Sequence, residues 1–136
     1  MPEKLLHILL VDDSDEDNEF HEIAIKQSGL ARNVTTITSA EAALSFLEQS
    51  TSNLPDLIFL DAMMPRINGF ELIGKISDLL TQKNIELNEF PAIYLLSGSY
   101  NPEMDRVLQN KLYEALVKGY RIKPLTAAMV AAIADK

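Results

Sequence analysis

Short apolar runs that alternate with amphipathic stretches constrain the fold of this chain more than any other sequence feature. The first run, residues 5–11, is continuously apolar and stops at Asp12, which is typical of a strand buried on both faces. Four further segments are predicted as strands: residues 34–38, 57–60, 92–96 and 119–122. Strands that alternate with helices favour βα units, a parallel sheet and right-handed crossovers. We therefore predict one doubly wound α/β domain, residues 1–136, with a five-stranded parallel sheet.

The segments between the predicted strands have the spacing of amphipathic helices. The first helix is predicted over residues 15–28, with Gly29 as its C-terminal stop. Its buried stripe is predicted to be Phe20, Ile23, Ala24 and Gln27. The other helices are predicted after the N-cap Ser39, over residues 70–80 and 102–117, and after Pro124. Residues 81–89 are predicted to form an irregular loop.

Charge and composition exclude several classes of function. The chain of 136 residues carries 12 Lys and Arg against 20 Asp and Glu, a net charge of −8. This balance argues against direct binding of nucleic acid or of anionic membranes. The lack of cysteine excludes disulfides and thiolate metal sites. The N-terminal apolar run is too short for a transmembrane helix and has no signal cleavage site, so a cytoplasmic location is expected.

Polar residues cluster at the carboxyl ends of the predicted strands, namely Asp12, Asp13, Asp61, Ser97 and Lys123. In a parallel sheet these ends share one edge, where ligands bind. Carboxylates so close repel one another, and a cation relieves the repulsion. Mg²⁺ prefers oxygen ligands and accepts a phosphate oxygen as well. The pattern indicates phosphoryl transfer to a carboxylate, with Lys123 supplying a positive charge and Ser97 a hydroxyl donor.

Each of these residues also has an ordinary structural interpretation. Asp12 or Asp13 could cap the first helix, Asp61 could begin a turn, and Ser97 could be a turn residue. Lys123 alone could be a solvated charge. It is the combination at four strand ends that favours a functional site.

Other polar and sulfur-containing residues are predicted to have structural roles only. The acidic residues 15–17 are expected to do no more than stabilise the positive end of the first helix. His7 is expected in the core or at its edge, His21 on the surface, and Met63 and Met64 in packing.

The chain resembles the receiver domains of two-component response regulators, the CheY-like superfamily, over essentially its whole length. The resemblance rests on residues 8–17 (ILLVDDSDED), 57–72 (LIFLDAMMPRINGFEL), 95–99 (LLSGS) and 119–125 (GYRIKPL). It implies that Asp61 is the phosphoacceptor. It also implies a Mg²⁺ ion, which Mn²⁺ could replace, bound by Asp13, Asp61 and the backbone carbonyl of Met63, with Asp12 acting through a water.

The same resemblance implies a switch. Lys123 would pair with the phosphoryl group, Ser97 would move towards it, and Tyr120 would follow as the aromatic switch residue. The Lys123–Pro124 peptide bond would be cis, whereas Met63 and Ser99 would occupy variable positions that tune dephosphorylation. The loop at 81–89 and the region 101–118 are longer than in compact members.

The implied partners are a sensor histidine kinase or phosphotransfer protein as phosphodonor and a downstream protein target of unknown identity. Pairing into a homodimer through the fourth and fifth helices is a further family expectation. The chain would be a phosphoacceptor switch that promotes its own phosphorylation and dephosphorylation, not a classical enzyme.

Three other functions compete with this hypothesis. A phosphatase of the haloacid dehalogenase type would need a second aspartate two residues after Asp61, where the chain has Met63. A pseudo-receiver would bind partners without phosphorylation, although the acidic set is intact. A flavodoxin-like cofactor carrier would need backbone donors to phosphate where residues 12–15 are mostly acidic.

Overall fold

The sheet has the predicted architecture. The computed structural model describes residues 6–64, 67–100, 102–110 and 116–134. Five parallel strands lie in the order β2-β1-β3-β4-β5. Their bounds are β1 Leu6–Val11, β2 Ala31–Ile37, β3 Leu57–Asp61, β4 Ala92–Ser97 and β5 Val117–Ile122. The direction of the strand order reverses between β1 and β3, so a ligand site is expected at the carboxyl ends of these two strands.

Helices cover both faces of the sheet. They are α1 Asp15–Gln27, α2 Ala40–Gln49, α3 Gly69–Gln82, α4 Pro102–Gln109 and α5 Ala127–Ala134, with a short 3₁₀ turn at Leu87–Glu89. Helix α1 packs beside α5, and α2, α3 and α4 lie next to one another. Among the described residues, no helix is both long and apolar enough to span a membrane.

The continuous apolar runs follow from this two-sided cover. In β1, Ile8 and Leu10 join the core cluster that contains α1 and α5 residues. Leu9 and Val11 point the other way, into the cluster that contains residues of α2, α3 and α4. Because successive side chains of a strand alternate between faces, a strand covered on both sides is predominantly apolar, with few exceptions such as His7 in β1.

The predicted buried stripe of α1 is largely wrong. The side chains of Phe20 and Ile23 are 57% and 52% exposed, and Gln27 is exposed as well. The face that packs on the sheet consists of Asn18, His21, Ala24 and Ile25. Two polar residues on this face made a hydropathy pattern point to the wrong stripe, and the surface position predicted for His21 is wrong for the same reason. His7 lies in the core as predicted.

The predicted helix ends differ from the structure most in the C-terminal half. Helix α4 ends at Gln109, and Val117, predicted as its last residue, begins β5 and pairs with Ile93 of β4. Residues 111–115, where the helix was predicted to continue, lie outside the described residues. The predicted loop at 81–89 contains the end of α3 and the 3₁₀ turn.

Three local predictions about caps and peptide geometry are confirmed. Gly29 follows α1 with a φ of +74°, a left-handed conformation that glycine adopts without a Cβ clash. Ser39 caps α2, since its hydroxyl accepts a hydrogen bond of 3.1 Å from the backbone N–H of Ala42. The Lys123–Pro124 peptide bond is cis.

Candidate functional site

Three carboxylates converge at the carboxyl edge of the sheet, as the strand pattern predicts. One carboxylate oxygen from each of Asp12, Asp13 and Asp61 lies within 4.8 Å of the other two. Asp12 and Asp61 are buried, whereas Asp13 is exposed. Oxygen donors at this spacing, open to solvent on one side, fit a hard divalent cation that keeps part of its water shell.

Backbone bonds fix the strand ends that carry these side chains. The backbone N–H of Asp12 donates to the carbonyl of Ile37 at the end of β2, at 3.1 Å. Directly after Asp61, the N–H of Ala62 donates to the carbonyl of Leu96 in β4, at 2.8 Å. The loops that follow β1 and β3 therefore start from hydrogen-bonded positions on adjacent strands.

Asp61 is held in an environment that disfavours its charge. Burial, and then the negative charge of Asp12, raise the pKa of Asp61 to about 6. The positive charge of Lys123 and the backbone N–H of Met63, which donates to Oδ1 at 3.3 Å, oppose this rise, and Asp13 adds to it. Part of this rise is the repulsion between neighbouring carboxylates that the strand pattern predicts, and burial is its largest single cause.

Lys123 reaches this cluster from the end of β5. Its backbone N–H donates to the carbonyl of Ser97 at 2.7 Å. Its Nζ lies 2.8 Å from Asp12 Oδ2, 2.9 Å from Asp17 Oδ2 and 3.5 Å from Asp61 Oδ1. Burial alone would lower the pKa of Lys123, but the hydrogen bonds to Asp12 and Asp17 and the charge of Asp61 outweigh burial and raise it. Lys123 is therefore a fixed positive charge.

The contact between Asp17 and Lys123 corrects the sequence analysis, which limited residues 15–17 to a helix-end role. Asp17 lies in the first turn of α1 and hydrogen-bonds a residue 106 positions away in the chain. A local pattern contains no signal for such a contact, because it depends on where the start of α1 lies relative to the end of β5 in the folded chain.

Asn18 is a second residue that the sequence analysis missed. Its side-chain Nδ2 donates to the carbonyl of Asp12 at 3.0 Å and to that of Ile37 at 3.3 Å. This buried amide joins the start of α1 to the ends of β1 and β2. A polar residue at a position where the helix faces the sheet is the signal that could have found it.

The cap of α1 is Ser14, and not Asp12 or Asp13. The Ser14 hydroxyl accepts a hydrogen bond from the backbone N–H of Asp17 at 3.1 Å, as N-cap side chains do. Its own N–H donates to Asp12 Oδ1 at 3.0 Å. The two oxygens of Asp12 thus have different partners, Oδ1 the backbone N–H of Ser14 and Oδ2 the ammonium group of Lys123.

Ser97 is the last residue of β4, and Tyr120 lies in β5 opposite Leu95 of β4. Ser97 is buried, and its hydroxyl donates to the carbonyl of Ser99 at 2.7 Å. It stands one residue beyond Leu96, the β4 partner of Asp61. Tyr120 is half-buried, with its ring centre 6.5 Å from that of Tyr100 in the loop after β4.

The two methionines after Asp61 differ. Met64 packs in the core as predicted, whereas the side chain of Met63 is 58% exposed, so the packing role predicted for Met63 is wrong. A methionine at this position has no proton to exchange, which leaves the chain without the second aspartate of a haloacid dehalogenase.

Comparison with known proteins agrees with this geometry. Residues 8–130 match the family model of the response regulator receiver domain. The two-component response regulator ARR5 of Arabidopsis thaliana is 32% identical over 128 residues, which cover 88% of this chain and 66% of the relative. The transcriptional regulatory protein AfsQ1 of Streptomyces coelicolor is 28% identical, over 95% of this chain and 59% of the relative. The chain thus spans less than two thirds of the length of these relatives.

Solved structures give the same result. A two component response regulator from Cytophaga hutchinsonii superposes with a TM-score of 0.81 at 29% identity, covering 98% of this chain and 96% of that one. The bacteriophytochrome response regulator RtBRR superposes with a TM-score of 0.70, also at 29% identity, over 96% of this chain and 77% of that one. By sequence and by fold, the chain belongs to the response regulator receiver domain family.

Proposed function

We propose that this chain is a phosphoacceptor switch in which Asp61 receives a phosphoryl group from a histidine kinase or a phosphotransfer protein. The observation that carries the proposal is the clustering of Asp12, Asp13 and Asp61 with Lys123 Nζ only 3.5 Å from Asp61 Oδ1. Membership of the receiver family supports it. The receiver domain would extend over the whole chain, residues 1–136.

The donor set fits a resident Mg²⁺, for which Mn²⁺ could substitute. Asp13 and Asp61 would bind it directly with the backbone carbonyl of Met63, and Asp12 would act through a water. When bound, the ion supplies positive charge against the cluster and against the equatorial oxygens of the transferred group. The pKa of Asp61, raised to about 6 by burial and by Asp12, supports the need for such a charge.

The proposed reaction uses Asp61 as the nucleophile. A carboxylate oxygen of Asp61 forms a bond to phosphorus while the bond from phosphorus to the donor imidazole nitrogen breaks. The imidazole keeps the electron pair of the broken bond and then takes a proton from solvent. Lys123 offers positive charge to the phosphoryl oxygens, and Ser97 can turn its hydroxyl from Ser99 towards them. The same groups would promote hydrolysis, in which a water oxygen bonds to phosphorus, the bond from phosphorus to the Asp61 oxygen breaks, and phosphate leaves as the Asp61 carboxylate is restored.

The proposed output is a change of the surface formed by β5 and its neighbours. Movement of Ser97 towards the phosphoryl group would vacate space that the Tyr120 ring, now half-buried beside Tyr100, can enter. Two populations of this surface would then bind a downstream protein with different affinity. We further propose a cytoplasmic location, no direct contact with nucleic acid or membrane, and self-association through α4 and α5.

Phosphorylation by acetyl phosphate tests the proposal. With Mg²⁺ present, intact-mass spectrometry should detect one added phosphoryl group on the wild type and none on Asp61→Asn. Asp15→Asn is the matched control, because it makes the same chemical change on an exposed residue of α1 and should be labelled normally. An unchanged wild-type mass, with a known receiver labelled in parallel, would favour the pseudo-receiver, and sustained turnover of small phosphate esters would favour a phosphatase.

The role of Lys123 is tested separately. Lys123→Ala should still accept a phosphoryl group, but phosphorylation should change the Tyr120 surface less than in the wild type. The reason is that no ammonium group then draws the phosphoryl group and the end of β5 together. Chemical shifts of the Tyr120 ring before and after phosphorylation measure the transmission. A Tyr120 response equal to that of the wild type would exclude this role.

A further inference from the structure

The ion pairs of Lys123 are unequal in a way that the proposed chemistry does not require. The ammonium nitrogen contacts Asp12 and Asp17 at 2.8 and 2.9 Å, whereas Asp61, the residue proposed to react, lies at 3.5 Å. Asp12 belongs to the carboxylate cluster, but Asp17 does not. In the resting protein, the positive charge of Lys123 is therefore shared with a carboxylate outside the cluster.

The position of Asp17 in the fold favours its ion pair with Lys123. Its backbone N–H is anchored on the Ser14 hydroxyl at 3.1 Å, and the next residue, Asn18, joins α1 to the ends of β1 and β2. The carboxylate therefore projects from a turn that is anchored by hydrogen bonds on both sides of the residue. The hydrogen bond from Lys123 lowers the pKa of Asp17, so the pair consists of two charged groups at neutral pH.

Exposure makes the pair exchangeable. The side chain of Asp17 is 44% exposed, compared with 18% for Lys123 and 4% for Asp12. A half-exposed carboxylate regains hydration when it loses its partner, whereas the buried Asp12 does not. When a phosphoryl group or its analogue binds at Asp61, Lys123 can break its contact with Asp17 at a lower free-energy cost than its contact with Asp12.

We infer that Asp17 is a positioning residue that competes with the phosphoryl group on Asp61 for Lys123, and so weakens anion binding and phosphorylation at this site. The inference rests on the proposed function of Asp61 and adds a regulator to the same site. Neutralising Asp17 frees the ammonium group to move towards Asp61 and removes one negative charge from the approach to the site. Both changes should strengthen anion binding and speed phosphorylation.

The test measures binding of beryllofluoride, an analogue of the phosphoryl group, in the presence of Mg²⁺. Titration calorimetry should give a dissociation constant roughly two- to fivefold lower for Asp17→Asn than for the wild type, the range expected for a partly exposed ion pair. The rate of phosphorylation by acetyl phosphate, followed by intact mass, should rise by a similar factor. Asp15→Asn removes the same charge from the same helical turn, and the ion pairs of Lys123 with described residues do not include Asp15.

A double-mutant cycle separates competition for Lys123 from a general charge effect. In a Lys123→Ala background, Asp17→Asn should change the phosphorylation rate no more than Asp15→Asn does. The covalent product accumulates even where the analogue binds weakly, so this background remains measurable. Three outcomes would each overturn the inference. Asp17→Asn could bind the anion more weakly than the wild type, it could change binding and phosphorylation only as much as Asp15→Asn does, or its effect on the phosphorylation rate could persist without Lys123. A wild type that neither binds beryllofluoride nor becomes phosphorylated would instead refute the proposed function of Asp61.

Discussion

At the scale of single residues, the site is defined by charges that oppose one another. Asp61 is a buried acid beside another buried acid, and burial and the charge of Asp12 both raise its pKa. Among the described residues, Lys123 and the backbone N–H of Met63 oppose this rise. Such an arrangement costs folding free energy, because the unfolded chain would hydrate each carboxylate separately.

In the metal-free protein, replacing Asp61 by a neutral residue should raise the free energy of unfolding, because it removes a charge that the folded state disfavours. The pKa of Asp61 rises on folding from the ordinary 3.8 to about 6, so the native state holds a proton that the unfolded state has lost between these values. The destabilisation by Asp61 is thus absent below pH 3.8, grows as pH rises and is complete above 6. Asp61→Asn should stabilise the protein by about 2–3 kcal/mol at pH 7.5.

Chemical denaturation with EDTA, at pH 7.5 and at the lowest pH where the protein stays folded, measures this gain. It should shrink as the pH approaches 4. The control is Asp78→Asn, an exposed residue of α3, which should change the unfolding free energy by less than about 0.5 kcal/mol. A gain independent of pH would show that the charge of Asp61 is not its source.

At the scale of elements, two close contacts fix the loops that carry the site. Helix α1 is joined to the sheet by the Asn18 amide, and α3 begins directly against the end of β3. A Cβ added at Gly69 would lie 2.5 Å from the carbonyl oxygen of Asp61 and 2.9 Å from the Cα of Ala62. Both contacts explain why a polar residue and a glycine occupy positions that packing would otherwise fill with apolar side chains.

Loss of the Asn18 amide should loosen α1. Asn18→Ala removes the donor to the carbonyls of Asp12 and Ile37 and should lower the unfolding free energy by about 1–3 kcal/mol. Glu19→Ala, at the exposed neighbour, is the control, with a change within about 0.5 kcal/mol. Hydrogen exchange of the α1 amides should rise in Asn18→Ala alone. Equal stability of the two variants would contradict the joining role of Asn18.

The start of α3 should tolerate no side chain. Gly69→Ala forces backbone atoms of β3 and α3 apart, and we expect a loss of about 1–3 kcal/mol, as for overpacked sites, because backbone cannot move aside as a flexible side chain can. Gly98→Ala is the matched control, since a Cβ there meets nothing within 4 Å. Thermal unfolding of both variants gives the comparison, and similar midpoints would refute the steric argument.

At the scale of the whole molecule, the doubly wound topology is what makes a site from distant segments. Residues from the ends of β1, β3, β4 and β5 meet because parallel strands place all their carboxyl ends on one edge. An ion that binds at this edge would bind the native state and not the unfolded state, since the carboxylates of β1 and β3 are far apart in the unfolded chain. Ion binding and global stability are therefore linked.

Mg²⁺ should raise the thermal unfolding midpoint through this linkage. At a concentration about one hundred times the dissociation constant, the gain should approach about 2.7 kcal/mol. Asp13→Asn, at an exposed member of the cluster, should lose most of the gain. NaCl at matched ionic strength separates site binding from screening. An identical rise in wild type and Asp13→Asn would place the stabilising ion elsewhere.

Sequence alone determined the element types, their order, the parallel sheet and the edge at which Asp12, Asp13, Asp61, Ser97 and Lys123 gather. These features depend on local periodicity and on a chain topology with few alternatives. Only the tertiary structure decided which face of α1 is buried, that Ser14 is its cap, that Val117 belongs to β5, and that Asp17 shares Lys123. The reason is physical: each of these depends on how an element docks against segments far away in the chain. The docked position of α1, for example, gives the buried Asn18 amide two carbonyl acceptors, and no local pattern encodes where those carbonyls lie.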